Sequence, residues 1–313
     1  MLRIRRWAAP VATATYDSNR QVAAMPSGNP LDRLFVQSKW ALQSFPMRFR
    51  ARGEGYSPHR VIFLSGVQRS GTELCMDLLD LSFHTGVYHE SDARAFEDYR
   101  LRSLPVLQDL IRRSSAPTVV FKCLLDNDLL SDLMASIPNS KTIWVFRHYG
   151  DMINSFVRSW PEGRARIDDI VKDRNAGGWR GRGMTDATHE LLKRVYRVDL
   201  ANADGIALFW YYRNQLLFDQ ELDSDERVLL LQYDALVQEP KAYIEEIEAF
   251  CGIRILSYAA SRVYKSSVRK EDSPRIAPEI KALCDDMLMR LQDSARSARG
   301  RGTGRRPAYQ QSA

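Results

Sequence analysis

The chain is 313 residues long, 44% hydrophobic and 27% charged, and carries a formal net charge of +6. That composition suits one large globular core, and no apolar run approaches the length of a membrane span. The positive balance favours anionic ligands, nucleotides among them, but equally nucleic acid or a membrane surface, so charge alone does not choose a partner. Four cysteines, Cys75, Cys123, Cys251 and Cys284, form neither a CxxC pair nor a zinc spacing with histidine. They read as free thiols in a reducing compartment, and MLRIRRW is followed by polar residues too soon for a secretory signal. The expected location is therefore the cytoplasm.

In chain order, residues 1–57 read as an arm of Pro, Gly, Ser and basic residues around one amphipathic helix within LDRLFVQSKWALQSF. From 58 to 295 a single domain is expected. Four short apolar runs, VIFLS (61–65), TVVFKC (118–123), TIWVF (142–146) and RVLLLQ (227–232), alternate with helical patterns such as GTELCMDLLDLS, DNDLLSDLMASI, GDMINSFVRSW and EPKAYIEEIEAFCG. Apolarity that is continuous rather than alternating marks strands covered on both faces. The expected fold is α/β, a three-layer, P-loop-like arrangement with a central parallel sheet flanked by helices. The end of the chain, 296–313, sets Arg296, Arg299, Arg301, Arg305 and Arg306 among Gly and Ser, and reads as a disordered basic tail.

The strongest local signal is VIFLSGVQRSGTELCMDLL, in which a buried strand runs through Gly66 and Gly71 directly into an amphipathic helix. Glycines at that spacing let consecutive backbone N–H groups and a helix N-terminus face an anion, which makes a phosphate cradle. A nucleoside triphosphatase, or a small-molecule kinase of the P-loop type, needs Lys and then Ser or Thr after the second glycine; here those positions are Thr72 and Glu73, and the cation is Arg69, inside the loop. A second anion site is read from KTIWVFRHYGDMINSFVRSW, where Arg147 closes a strand and Ser155 follows on the next helix. Ligands of open α/β sheets gather at the carboxyl ends of strands, so both can face one crevice, and an arginine fork with a hydroxyl suits a phosphate monoester.

Together these stretches resemble the sulfotransferases that use 3'-phosphoadenosine-5'-phosphosulfate (PAPS), whose bacterial and carbohydrate-type members carry a loop of the form SGxxRSGTTL; this sequence reads SGVQRSGTEL. ALFWYYRNQLLF and RVLLLQYDALVQEPKAYIEEIEAFCGI resemble later parts of the same family, so that the likeness runs over about 58–295. It implies that Gly66, Val67, Gln68, Arg69, Ser70, Gly71, Thr72 and Glu73 form the wall around the 5'-phosphosulfate, with Arg69 beside the leaving oxygen. It implies 3'-phosphate roles for Arg147 and Ser155. Glu73 departs from the family, which has a hydroxyl residue there, and His148 and Tyr149 replace its usual Asp or Asn and Pro. A carboxylate beside a phosphate repels it, so Glu73 is expected either to point away or to weaken donor affinity.

The resemblance further implies a general base in FHTGVYHESDARAF: Glu90, with His89 in reserve. The alternative for Glu90 is to cap a helix starting at Ser91 or Asp92. Lys122 is implied to face the sulfuryl oxygens, the alternative being that it snorkels to the surface. Ser267, Arg269 and Lys270 in YKSSVRK are further donor-site candidates by position, against a solvated basic loop. The implied reaction is O-sulfation of a small-molecule or carbohydrate hydroxyl without a metal, releasing adenosine 3',5'-bisphosphate, and no stable nucleic-acid partner is expected. The acceptor pocket is expected from the arm, residues 83–100 and the loop WPEGRARIDDIVKDRNAGGWRGRGMTD, the alternative for this last segment being a plain surface loop. The rival functions are the P-loop kinase and a non-catalytic nucleotide-binding module of the same fold.

Overall fold

A computed structural model describes residues 34–39, 59–159, 165–263 and 274–302. In chain order these form helix α1 (34–39), strand β1 (Arg60–Gly66), helix α2 (Thr72–Asp80), strand β2 (Thr85–Tyr88) and a small hairpin of β3 (Phe96–Glu97) and β4 (Arg100–Leu101). Helix α3 (Leu104–Arg113), strand β5 (Thr118–Lys122), helix α4 (Leu130–Ser136) and strand β6 (Ser140–Phe146) follow. The chain continues through helices α5 (Tyr149–Ser159), α6 (Ala165–Lys172), α7 (Asp186–Val195) and α8 (Asn202–Asp219) to strand β7 (Val228–Gln232). It ends in helices α9 (Tyr233–Gln238), α10 (Pro240–Cys251) and α11 (Pro278–Gly302). Among the described residues no helix is long and apolar enough to cross a membrane.

The five long strands make one parallel sheet in the order β2-β5-β1-β6-β7. All four apolar runs are strands of it, and the α/β class expected from them is the one observed. The strand without a sequence signal is β2, a four-residue edge strand with only Thr85 and Val87 buried. Side chains on successive strand residues alternate between the two faces. Val61, Phe63, Val119, Phe121, Trp144 and Phe146 pack on one face with α3 to α8 and α11. Ile62, Leu64, Val120, Ile143 and Val145 pack on the other with α2, α9 and α10. Helix α8 is buried nearly all round, and its Asn214 accepts the Trp144 indole N–H at 3.2 Å, so ALFWYYRNQLLF builds core.

From β1 the chain travels to the edge at β2, returns to β5, and then crosses β1 to reach β6. The sheet order therefore reverses at β1, and the crevice lies at its carboxyl end, where the glycine loop begins. Toward the end of the chain, α11 continues seven residues beyond 295, into the segment expected to be a disordered tail. Composition alone omits its tertiary partner: Arg299 donates to both Glu246 oxygens, at 2.8 and 3.0 Å, and lies over the Tyr243 ring of α10. Ser267, Arg269, Lys270, the rest of the arm and 303–313 lie outside the described residues.

Candidate active site

Backbone geometry makes the loop after β1 a cradle. Gly66 has φ 137°, and a Cβ there would stand 2.2 Å from the Val145 carbonyl oxygen, so close approach of β6 requires glycine. Gly71 has φ 95° and a Cβ there would run into the Tyr233 ring at 1.9 Å. Arg69 also takes positive φ, 67°, in the tight turn in which Ser70 N–H donates to Val67 O at 3.2 Å. Gly71 is the N-cap of α2 and offers no side-chain cap, so the first-turn N–H groups open toward the crevice. The Ser70 hydroxyl is buried without a hydrogen-bond partner among the described residues.

A cavity of about 340 Å³ lies over this loop, and each long strand sends a residue from its carboxyl end to it or to its rim. The glycine loop after β1 contributes Gln68, Arg69, Gly71, Thr72 and Glu73 to its lining. Beyond β2 comes Glu90, at the end of β5 Lys122, after β6 Arg147, and after β7 Tyr233; Ser155 reaches it from α5. Gly66, Val67 and Ser70 lie behind the lining, and the Val67 side chain is in the core.

The two predicted anion sites touch one another. Arg69 Nε donates to Ser155 Oγ at 3.0 Å, and Arg147 Nη1 donates to the Arg69 carbonyl at 3.4 Å. Arg147 is nearly buried, lies over the Tyr233 ring at 4.8 Å, and has Asp151 and Asp234 at 3.8 and 4.0 Å. Burial raises the Asp234 pKa above its ordinary value against the pull of the His148 N–H and Arg147. The turn into α5 holds without proline. His148 N–H donates to Asp234 Oδ2 at 3.0 Å, while His148 Nδ1 accepts the Gly150 N–H at 3.1 Å. Sequence reasoning missed Tyr233 and Asp234, although the strand-end rule that found Arg147 applies equally to the residues just after β7.

A run of charges borders the cavity. Lys122 does not reach the surface: it is 7% exposed and lies between Glu73 Oε2 at 2.5 Å and Glu90 Oε2 at 3.0 Å. His89 Nδ1 stands 3.6 Å from Glu73 Oε1, and its Nε2 contacts Asp80 Oδ2 at 2.9 Å. Lys39 of α1, fully buried, reaches Asp80 Oδ1 at 3.2 Å and the Asp80 carbonyl at 2.8 Å. Glu73 thus faces cations, and His89 with Lys122 holds its pKa down to about 2. Burial alone would lower the His89 pKa, but Asp80 and Glu73 outweigh it and lift the ring to about 9. An imidazolium has no lone pair with which to take a proton. Burial raises the Glu90 pKa, with Lys122 opposing. No helix begins at Ser91 or Asp92 for Glu90 to cap: residues 91–95 form turns that lead into β3.

The described part of the candidate acceptor loop is packed down rather than loose. Arg182 joins Asp126 at 2.7 Å and Asp128 at 2.5 Å, and buried Arg213 donates to Trp179 O at 3.1 Å. None of its described residues lines the cavity.

Residues 59–275 match the family profile for the sulfotransferase domain. No curated protein matches the sequence. Among solved structures, the chain is similar to a sulfotransferase from Alicyclobacillus acidocaldarius, at 13% identity over 77% of this chain and 97% of that one, with a TM-score of 0.45. A mouse sulfotransferase, SULT7A1, complexed with PAP is similar at 12% identity over 77% of this chain and 87% of that one, with a TM-score of 0.42. For the sulfotransferase STF9 from Mycobacterium avium the values are 13% identity, 76% and 77% coverage, and a TM-score of 0.42. With the domain match spanning the whole sheet and every cavity-lining strand end, the chain belongs to the sulfotransferase family.

Proposed function

We propose that this sulfotransferase takes its sulfuryl group from PAPS and passes it to a hydroxyl of a small-molecule or carbohydrate acceptor. The observation that carries the reading is the Arg69–Ser155 hydrogen bond, which puts the phosphate cradle and the Arg147–Ser155 site in one cavity. The residues present fit such a donor. An uncapped α2 N-terminus and the Arg69 guanidinium suit the 5'-phosphosulfate. Arg147 and Ser155 suit the 3'-phosphate.

When bound, PAPS supplies an SO3 group on a phosphate leaving group. The acceptor oxygen forms the new S–O bond as the bridging S–O bond to phosphate breaks, and adenosine 3',5'-bisphosphate leaves with that electron pair. In this chain Arg69 and the loop amides neutralise the leaving oxygen, a contribution worth roughly 10²- to 10³-fold for each preorganised donor. Glu90, facing the cavity and paired to Lys122, takes the acceptor's proton. Asp80 and Glu73 lift the His89 pKa to about 9, which disfavours His89 as that base. Lys122 orients Glu90 and supplies positive charge where the sulfuryl oxygens lie.

Against the kinase reading stands the site after Gly71, where Glu73 is engaged with Lys122 and His89 and no P-loop lysine is present. The four cysteines are buried free thiols, which suits the cytoplasm proposed for the protein. The test is transfer of labelled sulfate from PAPS to a panel of sugars, phenols and lipid alcohols, with magnesium-ATP as the control donor. Labelled product from PAPS alone is the expected result. Phosphorylated product from ATP, or bisphosphate binding with no transfer to any acceptor, would replace the reading by the kinase or the non-catalytic module.

A further inference from the structure

A carboxylate in the first turn of α2 sits beside the cradle, where, left unpaired, it would repel a phosphate bound there. Glu73 lines the cavity and its side chain is 58% exposed, yet each of its oxygens is met by a cation that is itself largely buried. Lys122 takes Oε2 at 2.5 Å, and His89 Nδ1 faces Oε1 at 3.6 Å. Exposed ion pairs ordinarily lose to side-chain entropy and solvent because both partners swing. Here the partners do not swing. His89 is fixed by Asp80 at 2.9 Å; Asp80 is fixed through its other oxygen and its carbonyl by Lys39, which also reaches Thr85 Oγ1 at 3.3 Å. Thr85 in turn donates to Leu79 O at 2.6 Å, tying the start of β2 to the end of α2.

We propose that the Asp80–His89 pair is a positioning device for Glu73, which it holds against Lys122 and off the phosphate cradle, so that the carboxylate does not repel the donor's 5'-phosphate. The inference rests on the donor reading above and adds two positioning residues to it. A buried imidazolium is the component that makes the arrangement work, because Lys122 is shared with Glu90 and meets only one Glu73 oxygen. Without His89, the other oxygen is free to turn toward the first-turn N–H groups of α2, the groups a bound phosphate requires.

The test is a coupling measurement on the full chain. Affinity for adenosine 3',5'-bisphosphate is measured by titration calorimetry for the wild type, His89→Gln, Glu73→Gln and the double variant, each with a thermal melt to confirm folding. His89→Gln is expected to weaken binding about tenfold, Glu73→Gln to bind at least as well as the wild type, and the double variant to bind within about twofold of Glu73→Gln. If His89→Gln fails to fold, Asp80→Asn, which withdraws the charge that holds the imidazolium, takes its place with the same expected coupling. An unchanged affinity in His89→Gln, an equal loss with and without Glu73, or weaker binding by Glu73→Gln overturns the inference. Absence of bisphosphate binding by the wild type overturns the donor reading itself.

Discussion

At Glu90, burial and a lysine act on one proton in opposite directions. Burial raises the carboxyl pKa, and Lys122 at 3.0 Å pulls it back, leaving it above the ordinary value. A base must be ionised to accept the acceptor's proton, so turnover should rise with pH through this raised pKa and fall away on the acid side. Glu90→Gln is expected to lower kcat by about 10²- to 10⁴-fold, to remove that acid limb, and to leave donor affinity within about twofold. The check is the pH profile of kcat for both proteins; full turnover in Glu90→Gln would place the base elsewhere. That Arg69 lines the cavity was legible from the glycine loop, and that Glu90 lines it was expected only from the family resemblance. Asp80 and Lys39 were not legible, since an acidic residue at the end of α2 and a lysine 41 positions earlier acquire a shared role only when the fold packs α1 against α2.

At the scale of elements, the same charges join four pieces of structure: α1 through Lys39, α2 through Glu73 and Asp80, β2 through His89 just beyond it, and β5 through Lys122. That joint should be visible in stability against pH. His89 has a folded pKa of about 9 against an ordinary 6.5, so its contribution is fully present below about 6.5 and is lost as pH rises through 9. Glu73 has a folded pKa of about 2 against 4.5, so its contribution is present above 4.5 and is lost as pH falls toward 2. Urea midpoints measured across pH 3 to 10 are expected to decline from about pH 7 to 9 in the wild type, and His89→Gln should flatten that alkaline decline. A wild-type midpoint that rises over that alkaline range would contradict the ion-pair assignment. The elements themselves were readable where apolar runs were long and continuous, as in β1 and β6. Strand β2 was not, because a four-residue edge strand with two buried positions carries too little periodicity to separate it from a turn.

Over the whole molecule, one rule organises the site: each parallel strand of the sheet sends a residue from its carboxyl end to the same crevice. The glycine-loop site around Arg69 and the Arg147–Ser155 site were legible as separate motifs, and the family resemblance implied one donor for both; their direct contact through Arg69 and Ser155 comes from the fold, which local sequence does not encode. The course of α11 past 295 was hidden for the same reason, since Arg299 reads as tail until Glu246 is placed beside it. On the proposed function, one ligand bridges the Arg69 cradle and the Arg147–Ser155 site. This is tested most directly by calorimetric titration of the wild type and Arg147→Ala with adenosine 3',5'-bisphosphate and with adenosine 5'-monophosphate, which lacks the 3'-phosphate. Hydrogen bonds to a charged group are worth about 1.5–3 kcal/mol, so the wild type should prefer the bisphosphate by roughly 10- to 100-fold and Arg147→Ala should bind the two nearly alike. Equal affinities in the wild type, or a preference that survives in Arg147→Ala, would mean that Arg147 does not hold the 3'-phosphate.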